Sequence, residues 1–226
     1  MSLVLVIGNK TYSSWSLRAA LAMALAEAAY DEVLIPLDHP NTRQQVLQYS
    51  PTGLVPALKY GNLILWESLA IIEYLDEAFP GVPLLPRDVL SRQRARALAQ
   101  LVACDIHPLG NLRVLQYLEH ELQLPADART RWVARWVQDG LVAFEALLQQ
   151  HGARDFCVGD APTIADCALV PQLYNARRFG IDLAPYPAIR RIEAACVALP
   201  AVEAAAPERQ ADAPPAGLRQ WSVPNP

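Results

Sequence analysis

Lysine is nearly missing from this 226-residue chain: only Lys10 and Lys59 occur, and arginine supplies the other fixed positive charges. Lys+Arg total 19 against 23 Asp+Glu, for a formal net charge of −4 and a pI near 5.6. Nucleic-acid surfaces are built from clustered cations, so this balance argues against a nucleic-acid partner. Long apolar runs are missing too. No stretch reaches membrane-spanning length, and the opening run at residues 2–7 lacks the length and the preceding basic region of a signal peptide. A soluble, cytoplasmic protein with no membrane partner is the expectation. Cysteine is sparse: Cys104, Cys157, Cys167 and Cys196 form no CxxC pair, and no His stands at zinc-ligand spacing. We expect no metal site and four reduced, buried thiols, each in an apolar setting such as Leu101-Val102-Ala103-Cys104.

What is present is globular in character, with 53% hydrophobic and 19% charged residues. The length allows one large domain or two small ones. Leu3-Val4-Leu5-Val6-Ile7 reads as a strand buried on both faces. A polar loop follows, then an Ala- and Leu-rich helix from about Trp15 to Ala28, then a second strand at Val33-Leu34-Ile35-Pro36-Leu37. This order is β–α–β with parallel strands. Residues 39–50 read as a variable segment. Ala57-Leu58-Lys59-Tyr60 and Leu63-Ile64-Leu65-Trp66 flank Gly61-Asn62, the mark of a hairpin. A helix from Glu67 to Phe79 completes this half.

Residues 80–86 carry three prolines and a glycine, a natural linker. Beyond it the patterning is helical throughout. Leu98, Leu101, Val102 and Ile106 form one stripe, which Pro108 should kink while freeing the carbonyl of Cys104. Trp132, Trp136, Gly140, Phe144 and Leu148 recur on another helix as packing residues. Thr163-Ile164-Ala165-Asp166 has the form of a capping box opening a helix apolar on nearly all sides. The Ala- and Pro-rich stretch 204–226 reads as a surface tail.

Leu54-Val55-Pro56-Ala57-Leu58, followed by Glu67-Ser68 at a helix start, carries the most functional information. Proline interrupts sheet pairing, so the main chain at Val55 can take an extended peptide as an added strand. Glu67 and Ser68 bring a carboxylate, a hydroxyl and the N–H groups of a helix start, which suit an amino-acid head group. Together these describe a cradle for a small peptide. The cradle resembles the glutathione site of the glutathione transferases. The resemblance implies their fold: a thioredoxin-like α/β domain (βαβ–ββα, with Pro56 cis) at residues 1–80, a linker at 81–87, and an all-α domain at 88–226. Cys104-Asp105-Ile106-His107-Pro108-Leu109-Gly110-Asn111-Leu112-Arg113, Gly159-Asp160-Ala161-Pro162-Thr163-Ile164-Ala165-Asp166-Cys167 and Ala176-Arg177-Arg178-Phe179 narrow it further. They resemble the zeta class, which includes maleylacetoacetate and maleylpyruvate isomerases.

The class implies glutathione as cofactor, a dicarboxylic or otherwise electrophilic small substrate, and a homodimer. It also implies roles for individual residues. Leu54, Val55, Pro56, Glu67, Ser68, His107 and Asn111 would hold glutathione; His39 and Arg43 lie where they could reach its glycine carboxylate. Arg178 would meet a substrate carboxylate, with Lys10 as a second cation from the first loop. That loop departs from the class: Thr11 stands where a thiol-activating Ser is usual, and Ser13 where Cys is usual. Leu112 replaces a further Arg. A hydroxyl near a helix start favours thiolate by hydrogen bond and dipole. Ser13 is the first candidate and Thr11 the second, while Ser14 suits the helix N-cap. The plainer alternative is that all three only cap the helix. Glutathione-dependent cis–trans isomerisation leads the functional expectations, followed by conjugation or dehalogenation of small electrophiles and then by a non-catalytic glutathione-binding module.

Overall fold

In the computed structural model, which describes residues 2–8, 13, 18–19, 22, 25–36, 41–79, 81 and 83–206, the opening apolar run is strand β1 (Leu3–Gly8). It lies inside a four-stranded sheet of order β2-β1-β3-β4, with β2 (Tyr30–Ile35), β3 (Ala57–Tyr60) and β4 (Leu63–Trp66). Burial explains its composition: Leu5, Val6 and Ile7 are each 0% exposed. β1 pairs parallel with β2 and antiparallel with β3, and Gly61-Asn62 closes the β3–β4 hairpin. Between β1 and β2 the described residues Arg18, Ala19, Ala22 and Leu25 are helical. The chain turns at Ala26 and Glu27 (φ 52°), so this helix ends before Ala28.

The variable segment, to which the sequence reading assigns no element, contains a short helix, α1 (Thr42–Leu47). One apolar side chain anchors it: Val46 packs against Val6, Ile35 and Ala57. Helix α2 (Ser68–Ala78) follows β4. Its Asp76 accepts the N–H groups of Leu84 (2.5 Å) and Leu85 (3.1 Å), fastening the proline-rich stretch onto the helix.

The described residues form two compact units, one of residues up to 87 with 197–206 and one of residues 88–196. In the second, helix α3 (Val89–Gln100) is capped by Asp88, which accepts the N–H of Ser91 at 2.8 Å. It continues as a π-helical turn (Leu101–Ile106) and a 3-10 turn (His107–Gly110) before α4 (Leu112–His120). Pro108 accounts for this change of winding, because it has no N–H to return to the carbonyl of Cys104. The altered winding also corrects the reading of Cys104, which is exposed while Val102 and Ile106 of the same turn are buried.

Helix α5 (Ala126–Gln150) buries Val133, Val137, Leu141, Phe144 and Leu148. The main stripe thus runs one residue beyond the tryptophans, and Trp132 and Trp136 flank it half-buried in an edge-to-face pair. Gly140 permits a close approach: a Cβ there would lie 2.2 Å from Ile106 Cγ1. Helix α6 (Ile164–Arg178) begins with the expected capping box, and α7 (Pro187–Val197) follows. In the first unit, α8 (Pro200–Ala205) buries Val202 and Ala205, so the supposed tail begins within a packed helix.

Glu145 of α5 is buried and accepts the N–H groups of Ala188 and Ile189, both at 2.9 Å, at the start of α7. Glu145→Ala would leave those donors unmatched and is expected to destabilise the fold by about 2–3 kcal/mol, read from urea unfolding. Glu145→Gln, which keeps an acceptor, should cost less.

Candidate functional site

Strand register brings distant segments together in the first unit. β1 and β3 pair with Val6 opposite Ala57, and β3 and β4 pair with Ala57 opposite Trp66. The residues just beyond these pairs therefore share one end of the sheet: Ile7–Gly8, Val55–Pro56 and Glu67–Ser68. Each segment is placed there by the alternation of strand and turn rather than by a local motif.

The Val55–Pro56 peptide bond is cis. The turn before it is held by the N–H of Gly53 on the carbonyl of Ser50 (3.0 Å) and by a 2.8 Å hydroxyl contact between Ser50 and Thr52. Gly53 has φ 68°, in the left-handed region that glycine tolerates. A Cβ on Gly53 would lie 2.8 Å from Nη1 of Arg43, so the missing side chain makes room for that guanidinium beside the turn.

Glu67 has φ 67° and ψ 116°, a sparsely populated region for a residue with a side chain. Such a conformation costs about 1–3 kcal/mol and gathers at functional sites. Glu67 is exposed, Ser68 is 4% exposed, and the Glu67 side chain does not cap the first turn of α2. An exposed carboxylate thus adjoins a helix start whose N–H groups suit an anion, the complement of a zwitterionic head group. Ser13 is buried at 8% exposure. Lys10, Thr11, Ser14 and His39 lie outside the described residues.

The second unit holds the other candidates. His107 opens the 3-10 turn, half-buried, with Nδ1 3.2 Å from Oε1 of Gln172. Asn111 is the N-cap of α4, its side chain accepting the N–H of Arg113 at 3.1 Å. Arg178 ends α6, half-buried. Its neighbour Arg177 grips both carboxylate oxygens of Glu193.

Cys157, Cys167 and Cys196 are buried thiols whose pKa values are pushed up, first by burial and then by the nearby Asp166 carboxylate. Thiolate chemistry is disfavoured at all three. Among the described residues, no group of His, Cys, Asp and Glu is arranged to hold a metal, and no helix is long and apolar enough to cross a membrane. Sequence reasoning missed Gln172. The signal was there: an amide between Pro171 and Leu173, in a helix buried on nearly every side, needs a polar partner.

Residues 12–78 match the glutathione S-transferase N-terminal domain, and residues 126–222 match the glutathione S-transferase C-terminal domain. The maleylpyruvate isomerase of Ralstonia sp is 43% identical over 209 residues, spanning 90% of this chain and 99% of that protein. The holo structure of a maleyl pyruvate isomerase, a bacterial zeta-class glutathione transferase, superposes with a TM-score of 0.89 at 41% identity, covering 93% of this chain and 100% of the other. A maleylacetoacetate isomerase from Methylobacterium extorquens, solved with malonate and glutathione bound, gives a TM-score of 0.88 at 40% identity, covering 93% and 99%. This chain belongs to the glutathione S-transferase family. Within the family its likeness is to the zeta-class isomerases.

Gly53→Ala would meet both the positive φ and the Arg43 guanidinium, and is expected to cost about 1–2 kcal/mol in urea unfolding. Arg43→Ala, at an exposed position, should stay within about 0.5 kcal/mol of the parent.

Proposed function

We propose that the protein is a glutathione-dependent enzyme of zeta type that isomerises a maleyl keto acid, such as maleylacetoacetate, from cis to trans. The observation that carries this reading is the meeting of the Val55–Pro56 turn and the strained Glu67–Ser68 helix start at one end of the sheet. It occurs in a chain that matches such isomerases over nearly its whole length. The residues fit glutathione. The main chain at Val55 pairs with the tripeptide backbone, Glu67 takes its ammonium group, and Ser68 with the first turn of α2 takes the adjacent carboxylate. Leu54 and Pro56 shape that strand-like seat, and Arg43 beside the turn takes the glycine carboxylate.

When bound, glutathione supplies a thiolate that adds to the double bond and leaves after rotation, so none is consumed. Ser13 donates a hydrogen bond that keeps the sulfur anionic; Thr11 is second in line and Ser14 caps the helix. A hydrogen bond to a charged group contributes about 1.5–3 kcal/mol, roughly one to two units of thiol pKa. His107 and Asn111 hold the tripeptide from the helical domain. Arg178 and Lys10 bind the substrate carboxylates. The sheet unit is the glutathione domain and the helical unit that begins at residue 88 the substrate domain of a cytoplasmic homodimer.

Leu112 favours a second reading. It is 43% exposed at the start of α4, where a cation for a dicarboxylate would otherwise be expected. Conjugation of a small electrophile consumes glutathione and dehalogenation releases halide from its carbon, and isomerisation does neither. Incubation of maleylacetoacetate or maleylpyruvate with and without glutathione should show isomerisation only with the thiol, at constant thiol concentration. Ser13→Ala should lower kcat/KM by about 10–100-fold. Unchanged rates in Ser13→Ala and Thr11→Ala alike would refute the hydroxyl role.

A further inference from the structure

We infer that Gln172 is a positioning residue: it commits Nδ1 of His107 to the protein, so that His107 meets glutathione through Nε2. The inference rests on the reading above, in which His107 contacts the tripeptide.

Gln172 is 0% exposed on α6, with Cys167, Ala168, Leu169, Leu173 and Ala176 of the same helix buried around it. A core position of this kind is ordinarily filled by an apolar side chain. Only half of the amide is used. Oε1 lies 3.2 Å from Nδ1 of His107, whereas Nε2 is buried with no hydrogen-bond partner. An unmatched buried nitrogen is a cost that Met or Leu at this position would avoid. What the amide supplies in return is a fixed acceptor for one nitrogen of His107, reached across 65 residues of sequence.

That acceptor decides which ring nitrogen carries the proton. With Oε1 facing Nδ1, the ring is held as the Nδ1–H form, with its lone pair on Nε2. Turning the amide over would place its N–H opposite Nδ1, strand the oxygen instead, and move the ring proton to Nε2. The two arrangements therefore predict opposite tautomers. His107 opens the 3-10 turn immediately after the π-helical turn, where Pro108 has broken the regular winding. The local backbone alone sets where the imidazole starts. Gln172 sets how it is turned.

The chain has four histidines, so imidazole 15N spectra of the intact protein can be assigned by difference with His107→Ala. Wild-type protein should show the Nδ1–H form for His107. Gln172→Met, similar in size but without an acceptor, should shift the ring toward the Nε2–H form and weaken glutathione binding in calorimetry by roughly 3–10-fold. Gln172→Glu, which keeps an acceptor oxygen, should restore the Nδ1–H signature and bring affinity to within about twofold of wild type. Gln172→Met added to His107→Ala should cost no further affinity. An Nε2–H ring in the wild type, or an unchanged ring signature in folded Gln172→Met, overturns the inference. Unaltered glutathione affinity in His107→Ala overturns the contact between His107 and glutathione, and with it the affinity half of the inference. The ring spectra still decide the tautomer half separately.

Discussion

The helical unit is organised around one buried carboxylate. Asp166 is 2% exposed and accepts the N–H of Cys157 at 2.9 Å, the N–H of Thr163 at 2.8 Å and the hydroxyl of Thr163 at 2.8 Å. The thiol of Cys196 on α7 reaches the same group at 3.8 Å. Burial pushes the carboxyl pKa up, and the bonds from Cys157 and Thr163 oppose that rise. Without those donors a carboxylate could not sit there. With them it joins the loop at Cys157, the start of α6 and the C-terminal end of α7 at a single point. Gln172 is less than two turns further along α6, and Arg177 and Arg178 follow on the same rod. Gln172, Arg177 and Arg178 therefore lie on a rod whose start this cap fixes.

The sheet unit solves its positioning problem by apolar means. Val6, Ile35, Val46 and Ala57 make one small core from β1, β2, α1 and β3, with Val55 packed against it. The ladder fixes which residues follow its last pairs, and the turn at Val55 and the helix start at Glu67 are brought together by that count alone. Local backbone cost is accepted at Glu67 because the strand before it and the helix after it leave no alternative path. A one-residue slip in the β3–β4 register would separate the two motifs and invert every side chain on the strand.

Those differences in cause decide what could be read from sequence. The first strand, the hairpin at Gly61-Asn62 and the capping box at Thr163 each rest on a few adjacent residues and are legible, whereas β2 begins three residues before its apolar run, at Tyr30, and ends at Ile35 before Pro36. Helix Thr42–Leu47 is not legible, because its stability comes from Val46 meeting three strands, a contact invisible in a polar hexamer. The stripe of α5 falls as expected at Phe144 and Leu148 but one residue later than expected at Val133, Val137 and Leu141. Large aromatics drew attention, although smaller Val133, Val137 and Leu141 fill the interior. Cys104 has apolar neighbours in sequence, yet the π-helical turn leaves it exposed, so local composition did not report its burial. At the candidate site, the motifs were legible as types of residue, whereas the pairing of His107 with Gln172 depends on tertiary approach. The same is true of Arg177, whose grip on Glu193 ties the end of α6 to α7.

The alcohol at position 13 bears on the chemistry in a way that size and polarity alone do not reveal. A cysteine beside a bound thiol can both stabilise the thiolate and, on oxidation, form a disulfide with it. A serine can donate the hydrogen bond but has no sulfur to exchange. For a cofactor that must add to its substrate and leave intact, hydrogen bonding is the part of cysteine's behaviour that matters. In the proposed mechanism the first loop can therefore hold the sulfur anionic without capturing it.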